Sequence, residues 1–491
     1  MWPPRPRPPG VWAKMAVMGE TTAVPTVLDA AAAIRRGELG ASELTAACLT
    51  AIDERDGELN AFVHLDPEGA LVRARAVDDL VAAGRTEELG PLAGVPFGVK
   101  DLEDCAGMPT TKASYWYAGR GPAGRDAIHV ERLRAAGAVP VGKTASPEFG
   151  SFAYTASPLL GVTRNPWDPT RTPGGSSGGS AAAVSAAMVP FCTASDGGGS
   201  IRTPASFTGL PGLKTTYGRI PTFACTHLAQ NAVMGVLATT VRDTAALLDV
   251  VAGPDSRDRT CLPPPSGSYL TAVDQLEVSG LRATWSVDLG FAVVDPEVAA
   301  LCEDAARDLV AAIGAALVER PIALEDYIVV YSRIEGVDQF VGVDPDLWQH
   351  HLDDLDPRVA PGWRNTPAVT LPKLARVEEQ RQRLVAEVAE VFADVDLVLT
   401  PMSARPPFAA EGPMPTEVAG VAGHGGMAVI HGMLANLANL PAMSLPAGTT
   451  AEGLPVGLQV IAPRFREDLL LAVAARYEAA RPWPRVCPAA V

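Results

Sequence analysis

No run of 18 residues in this 491-residue chain is apolar without a charge, proline or glycine to interrupt it, so the sequence offers no membrane-spanning helix. No CxxC pair and no zinc-type spacing organise the cysteines. The seven of them, at positions 48, 105, 192, 225, 261, 302 and 487, are scattered and odd in number. That is the pattern of buried thiols in a reducing, cytoplasmic compartment, not of a disulfide framework. Positive charge is in deficit: 40 Lys and Arg stand against 56 Asp and Glu, a net −16. A phosphate backbone or an anionic lipid surface would be repelled on average, so neither nucleic acid nor membrane is expected as a partner. HExxH and S-x-x-K are both missing, which removes zinc-peptidase and penicillin-binding chemistries. No metal or cofactor is called for, and a small molecule is the expected ligand.

Apolar residues make up 47% of the chain, enough for a substantial core. The opening "MWPPRPRPPGVWAKMAVMGE" is basic and proline-rich without a continuous apolar stretch. It does not read as a secretory signal. Residues 1–18 are expected to be a disordered extension, with Met15 or Met18 as alternative starts, and 19–485 to form the folded domain.

Periodicity supplies the elements. "SELTAACLTAIDE" predicts a helix from Ser42 to Glu54, capped by Ser42, and "LAGVPFGVKDLED" a buried strand from Val95 to Val99 ending at Lys100. "DAIHVERLRAAGA" predicts a helix with Asp126 as N-cap and Gly137 as stop, followed by the strand "AVPVGKT". Strand, helix, strand implies a parallel crossover. The style recurs in "SGGSAAAVSAAM", "VPFCTAS", "VSGLRATWSV" and "DVDLVLTP". The fold class is therefore α/β: one large domain with a mixed, mostly parallel sheet covered by helices on both faces. Residues 321–367, acidic and rich in Trp, His and Pro, show no clean period. They are expected to be a variable insertion shaping a pocket or, equally, a packed loop layer.

Two motif matches fail on context. "GAVPVGKT" satisfies the phosphate-loop pattern, but a helix precedes it, its interior is strand-like and Pro147 follows closely. Lys143 is then a strand lysine, solvated or paired. Gly175, Ser177 and Gly179 fit the nucleophile elbow of α/β-hydrolases, but the preceding "PWDPTRTP" cannot be a central strand. None of the seven histidines, His227 among them, has a local context that marks a catalytic base.

What remains is "PGGSSGGS" at 173–180 and "ASDGGGSIRTPAS" at 194–206, whose Ser200 lies 24 residues on from Ser176. Three glycines before Ser200 make a turn whose successive N–H groups, from Gly197, Gly198, Gly199 and Ser200 itself, can point the same way and hold an oxyanion. A serine hydroxyl needs a base. Lys100 qualifies if its strand end is desolvated, since burial favours the neutral amine.

These residues together strongly resemble the amidase signature family of serine amidohydrolases. "GVPFGVKDLEDCAGMPTT" is similar to the family's lysine motif, and "GVTRNPWDPTRTPGGSSGGSAAAV" and "SDGGGSIRTPASFTGLPGLKTTYGRIP" to its signature core. "NLANLPAMSLPAGTTAEGLPVGLQVIAP" resembles its closing motif, so the likeness runs from about Ser42 to Glu478. The resemblance implies a Ser-Ser-Lys triad, with Ser200 as nucleophile, Ser176 as bridging serine after a cis Gly175–Ser176 bond, and Lys100 as base. It implies supporting hydrogen-bonding roles for Ser177, Asp196 and Arg202. Two departures stand out. Family members usually carry a hydroxyl or branched residue where this chain has Gly197, and proline where it has Thr215; the first puts the oxyanion hole and pocket width in question.

The function implied is hydrolysis of a small carboxamide, anilide or carbamate (urethane) C–N bond, with esters as further substrates, by a monomer or homodimer. The alternative is the glutaminase (A) subunit of a tRNA-dependent amidotransferase, which shares the motifs. Pocket walls are expected near Tyr154, Cys225 and the 321–367 segment.

Overall fold

The computed structural model describes residues 24–223 and 230–490. The expected N-terminal extension, Cys225 and His227 lie outside the described residues. Eleven strands share one sheet: β1 (Phe62–Leu65), β2 (Pro96–Lys100), β3 (Val139–Thr144), β4 (Phe191–Asp196), β5 (Gly212–Lys214), β6 (Val233–Ala238), β7 (Arg282–Trp285), β8 (Ala316–Leu317), β9 (Leu397–Pro401), β10 (Ala442–Thr449) and β11 (Pro455–Ile461). Their order across the sheet is β1-β3-β2-β4-β6-β5-β10-β11-β9-β7-β8.

The sheet is mixed, but its balance is the reverse of the expectation. Six pairings are antiparallel and four parallel. The parallel ones, β3-β2-β4 and β9-β7-β8, lie toward the flanks, on both of which a helix-containing crossover joins two parallel strands. The centre is built from direct returns, above all the β10–β11 hairpin. Crossover logic read from β2 and β3 was carried too far across the chain. Helices cover both faces, as alternation along the strands requires. Leu397, Leu399, Met443 and Val460 join the larger core, while Val398, Ala442 and Ile461 join a second one on the opposite face.

Local capping also differs from the sequence reading. Helix α1 runs Ala41–Leu59, with Gly40 at its N-cap. Asp78, on α2 (Pro67–Ala82), accepts from the N–H groups of Ala41 (2.6 Å) and Ser42 (3.0 Å) and from the Ser42 hydroxyl (2.5 Å). A carboxylate from another helix thus satisfies the orphan donors that Ser42 was expected to serve. Helix α3 (Ile128–Ala135) likewise lacks a side-chain cap. Asp126 is engaged elsewhere, by the Ala106 N–H at 2.7 Å and by Arg134 at 2.6 Å.

Residues 321–367 are not irregular. They hold helices that follow α4 (Gly178–Ser185), α5 (Arg202–Thr208) and α6 (Pro296–Ala312) in the chain: α7 (Ile328–Asp338), α8 (Pro345–His350) and α9 (Ala360–Asn365). α7 packs through Val330 and Ile334 into the second core, whereas α8 and α9 are too short for a period to declare itself and are ordered by aromatic packing. Trp363 is nearly fully buried, with Trp116, Phe149 and Phe340 around it at ring separations of 5.2, 5.4 and 4.7 Å. Among the described residues no helix is long and apolar enough to cross a membrane.

Candidate active site

Lys100 ends β2 at the middle of the parallel flank, between β3 and β4. Its backbone N–H donates to Thr193 Oγ1 on β4 at 2.9 Å, which fixes where the side chain begins. The side chain is wholly buried, and its Nζ meets three hydroxyls: Ser176 Oγ at 2.8 Å, Ser177 Oγ at 2.8 Å and Ser195 Oγ at 2.9 Å. Burial pushes the amine down to about 8, against the opposing charges of Glu103 and Asp196.

The hydrogen positions narrow what this amine does. Ser177 Oγ donates to the Ser195 carbonyl at 3.2 Å, so toward Lys100 it can only accept. A neutral amine has two N–H groups and one lone pair. With one N–H directed at Ser177, the lone pair and the other N–H fall to Ser176 and Ser195. Only in its neutral form, reached as the pH rises through about 8, does this amine turn a lone pair toward Ser176 or Ser195.

Ser176 enters this cluster from the turn before α4, across a cis Gly175–Ser176 peptide bond. Ser200 follows β4 on the next turn. The Ser177 N–H donates to the Ser200 carbonyl at 3.2 Å, tying the two serine turns together. Ser176, Ser195 and Ser200 all line one cavity of about 560 Å³. Lys100 and Ser176 are thus brought into contact. The Ser200 hydroxyl shares their cavity but makes no hydrogen bond among the described residues.

Asp196 organises the glycine turn. Its carboxylate accepts from the N–H of Gly199 at 2.7 Å and of Ile201 at 3.1 Å, and is paired with Arg202 at 2.8 Å. Burial works against that charge, but the Arg202 guanidinium and the Gly199 N–H outweigh it and hold the carboxyl below its ordinary range. Arg202 reaches on to Gln459, Asn436 and the Gly432 carbonyl, so a buried cation is satisfied from three segments. The Gly199 N–H is therefore committed to Asp196, while those of Gly197, Gly198 and Ser200 have no partner among the described residues. Gly199 itself sits at φ +115°, a conformation that only glycine adopts readily.

Ser195 was missed by sequence reading, although a signal existed. Thr193 and Ser195 are two apart on β4 and so share a face, the one turned to Lys100. Tyr331 and Glu335 on α7, which also line the cavity, carried no such signal. Tyr154 is buried against Phe152 and Phe408 and does not line this cavity, whereas Phe149 and Gly150 from the same loop do. Lys143 is buried and hydrogen-bonded to the Glu103 carbonyl (2.6 Å) and Thr110 Oγ1 (2.9 Å), a structural cation.

The chain is similar along most of its length to known proteins. A family profile described as Amidase matches residues 43–471. The A subunit of the glutamyl-tRNA(Gln) amidotransferase of Chloroflexus aurantiacus is 36% identical over 93% of this chain and 97% of its own length. An acylamidase of Rhodococcus erythropolis is 35% identical over 94% and 96%. Among solved structures, a bacterial aryl acylamidase of the amidase signature family superposes with a TM-score of 0.86 at 26% identity, covering 94% of this chain and 98% of that one.

Proposed function

Since the chain belongs to the amidase family and is an amide C–N hydrolase, we propose that it is a free-standing serine amidohydrolase, opening a small carboxamide, anilide or carbamate through an acyl-enzyme on Ser200. The observation that carries this reading is the buried Lys100 amine, 2.8 Å from Ser176 in the cavity that Ser200 lines.

Neutral Lys100 takes the proton of Ser176, and Ser176 takes that of Ser200 as its oxygen attacks the carbonyl. The oxyanion lodges on the N–H groups of Gly197, Gly198 and Ser200, the set left once Asp196 has engaged Gly199. Losing one such donor costs roughly 3 to 4 kcal/mol in activation free energy. Lys100, now an ammonium, returns its proton through Ser176 to the leaving amine. Water then cleaves the acyl-enzyme by the same relay. The Ser176-to-Ser200 hydrogen bond belongs to the substrate-bound state, since catalytic hydrogen bonds often tighten only then.

The test is labelling of Ser200 by a fluorophosphonate together with turnover of a panel of nitroanilides, esters and carbamates of graded acyl size. Labelling and turnover that both vanish in Ser200→Ala are expected; turnover that survives the substitution overturns the assignment. The 36% identity to an amidotransferase component favours a second reading, as the glutaminase of such an assembly. Glutamine hydrolysis that appears only once the other components are added would select it.

A further inference from the structure

Over the proposed oxyanion site hang two side chains of α7, Tyr331 and Glu335, four residues apart and so on one face of the helix. A β-carbon built on Gly198 would collide with the Tyr331 hydroxyl, and one on Gly197 would lie 3.6 Å from Glu335 Oε2. The two glycines leave room for these groups, and the first atoms of any acyl group held on those amides must pass beside them.

Glu335 is chemically incomplete. Its Oε1 accepts from Asn231 Nδ2 at 3.1 Å, and that is its only hydrogen bond among the described residues. No Lys, Arg or His there comes within ion-pairing distance of it, whereas Glu103, another acid on the same cavity, is paired with His129 at 2.9 Å. Oε2 and the Tyr331 hydroxyl have no partner among the described residues. Of the charged groups around them, Asp338 and Asp196 add negative potential, Arg381 opposes it from the neighbouring helix, and Arg202 is already engaged by Asp196. Burial, helped by those two acids, pushes the Glu335 carboxyl up to about 8, the behaviour of an acid lacking a counter-ion. Leu102, Phe149, Met234, Val341 and Val343 also line the cavity, beside polar groups such as Asp104, Lys112 and Gln339, and give it apolar wall for a leaving group or chain.

We infer that Glu335 and Tyr331 form an amine-binding subsite at the acyl end, so that the preferred substrates are amides whose acyl group carries an ammonium close to the scissile carbonyl, as in α- and β-amino acid amides. The inference rests on Ser200 being the nucleophile. An acyl group without such a donor leaves the carboxyl and the hydroxyl unsatisfied once water is expelled, and a site built for a hydrogen bond discriminates strongly against analogues that lack it.

The experiment compares β-alanine and alanine p-nitroanilides with the isosteric butyryl and isobutyryl p-nitroanilides. Wild-type enzyme is expected to favour the aminoacyl member of each pair by about tenfold or more in kcat/KM. In Glu335→Gln the ratio should collapse toward one, through KM for the amine substrate. In case that variant folds poorly, wild type is also read directly: propylammonium should slow fluorophosphonate labelling of Ser200, and propan-1-ol at equal concentration should not. Equal kcat/KM within pairs, an equal loss for both members in Glu335→Gln, or identical effects of the amine and the alcohol would each overturn the inference. If labelling proceeds and the neutral anilides turn over, the nucleophile assignment survives that failure; if Ser200 is never labelled, both fall.

Discussion

Two parts of this molecule face each other across one cavity and are held together by opposite means. The floor, from β2, β4 and the turns carrying Ser176 and Ser200, is polar and densely bonded: Lys100 has three hydroxyl partners, and Asp196 and Arg202 share a buried network reaching Asn436 and Gln459. The roof is held by apolar packing, α7 through Val330 and Ile334 in the second core and α9 through the rings around Trp363, and leaves polar atoms of Tyr331 and Glu335 without a partner among the described residues. Chemistry common to many amides needs fixed groups whose bonds are already made, because reorganisation at the moment of reaction is costly. Selection among amides needs groups that find their partner only in the right substrate. The contrast separates what the protein does from what it does it to.

That division can be tested by damaging each part in turn. Lys100→Ala removes the proposed base of the floor and should lower kcat/KM by roughly 10²- to 10⁴-fold on every substrate. In wild type the amine must be neutral, so kcat/KM should climb with pH through about 8, and that limb should vanish in the variant; a pH–rate profile with a retained limb would transfer the role to another group. Gly198→Ala drives the Tyr331 ring off its seat where roof meets floor. Loss of a well-placed oxyanion donor predicts a fall of about 10² in kcat, with little change in fluorescence-monitored unfolding.

Trp363→Ala strikes the roof alone. Deleting a buried aromatic of this size costs about 3 to 5 kcal/mol, and the loss should appear in denaturant titration and hydrogen exchange over 340–366, while labelling of Ser200 persists. Uniform loss of labelling would show that floor and roof are one cooperative unit. Ser195→Ala is the mildest. It deletes one hydrogen bond that orients Lys100, worth about 1 kcal/mol or near fivefold in rate, and it removes an acceptor that favours the ammonium. The pH limb should therefore move to lower pH, a shift that a merely structural serine would not produce.

The floor was largely legible because its determinants are local. "GGSS" and "GGGS" dictate turns, while Lys100 at the end of an apolar strand was only a candidate base until the resemblance to the amidase signature family gave it, and Ser176, their roles. The roof was not. α8 and α9 are six residues each, too short for an apolar stripe to emerge; α8 packs through Trp348 on Phe340, and α9 through Trp363 on Trp116 and Phe149, more than 200 residues before it. The same distance effect hid Asp78 as the cap of α1, and the central antiparallel strands behind an N-terminal pattern of crossovers.

By itself, the sequence determined an α/β chain with two glycine-serine turns and a strand-end lysine, because backbone turns and strand ends obey rules that act within a few residues; that it is an amide hydrolase came from the resemblance of its longer motifs to the amidase signature family. Only the tertiary structure decided that Gly199's N–H serves Asp196, that Ser195 joins the lysine's hydroxyl partners, and that the Glu335 carboxyl on α7 shares a cavity with Ser176 and Ser200. Those facts depend on side chains from remote segments arriving within hydrogen-bonding distance of each other, and closest approach in space is set by the packing of the whole chain.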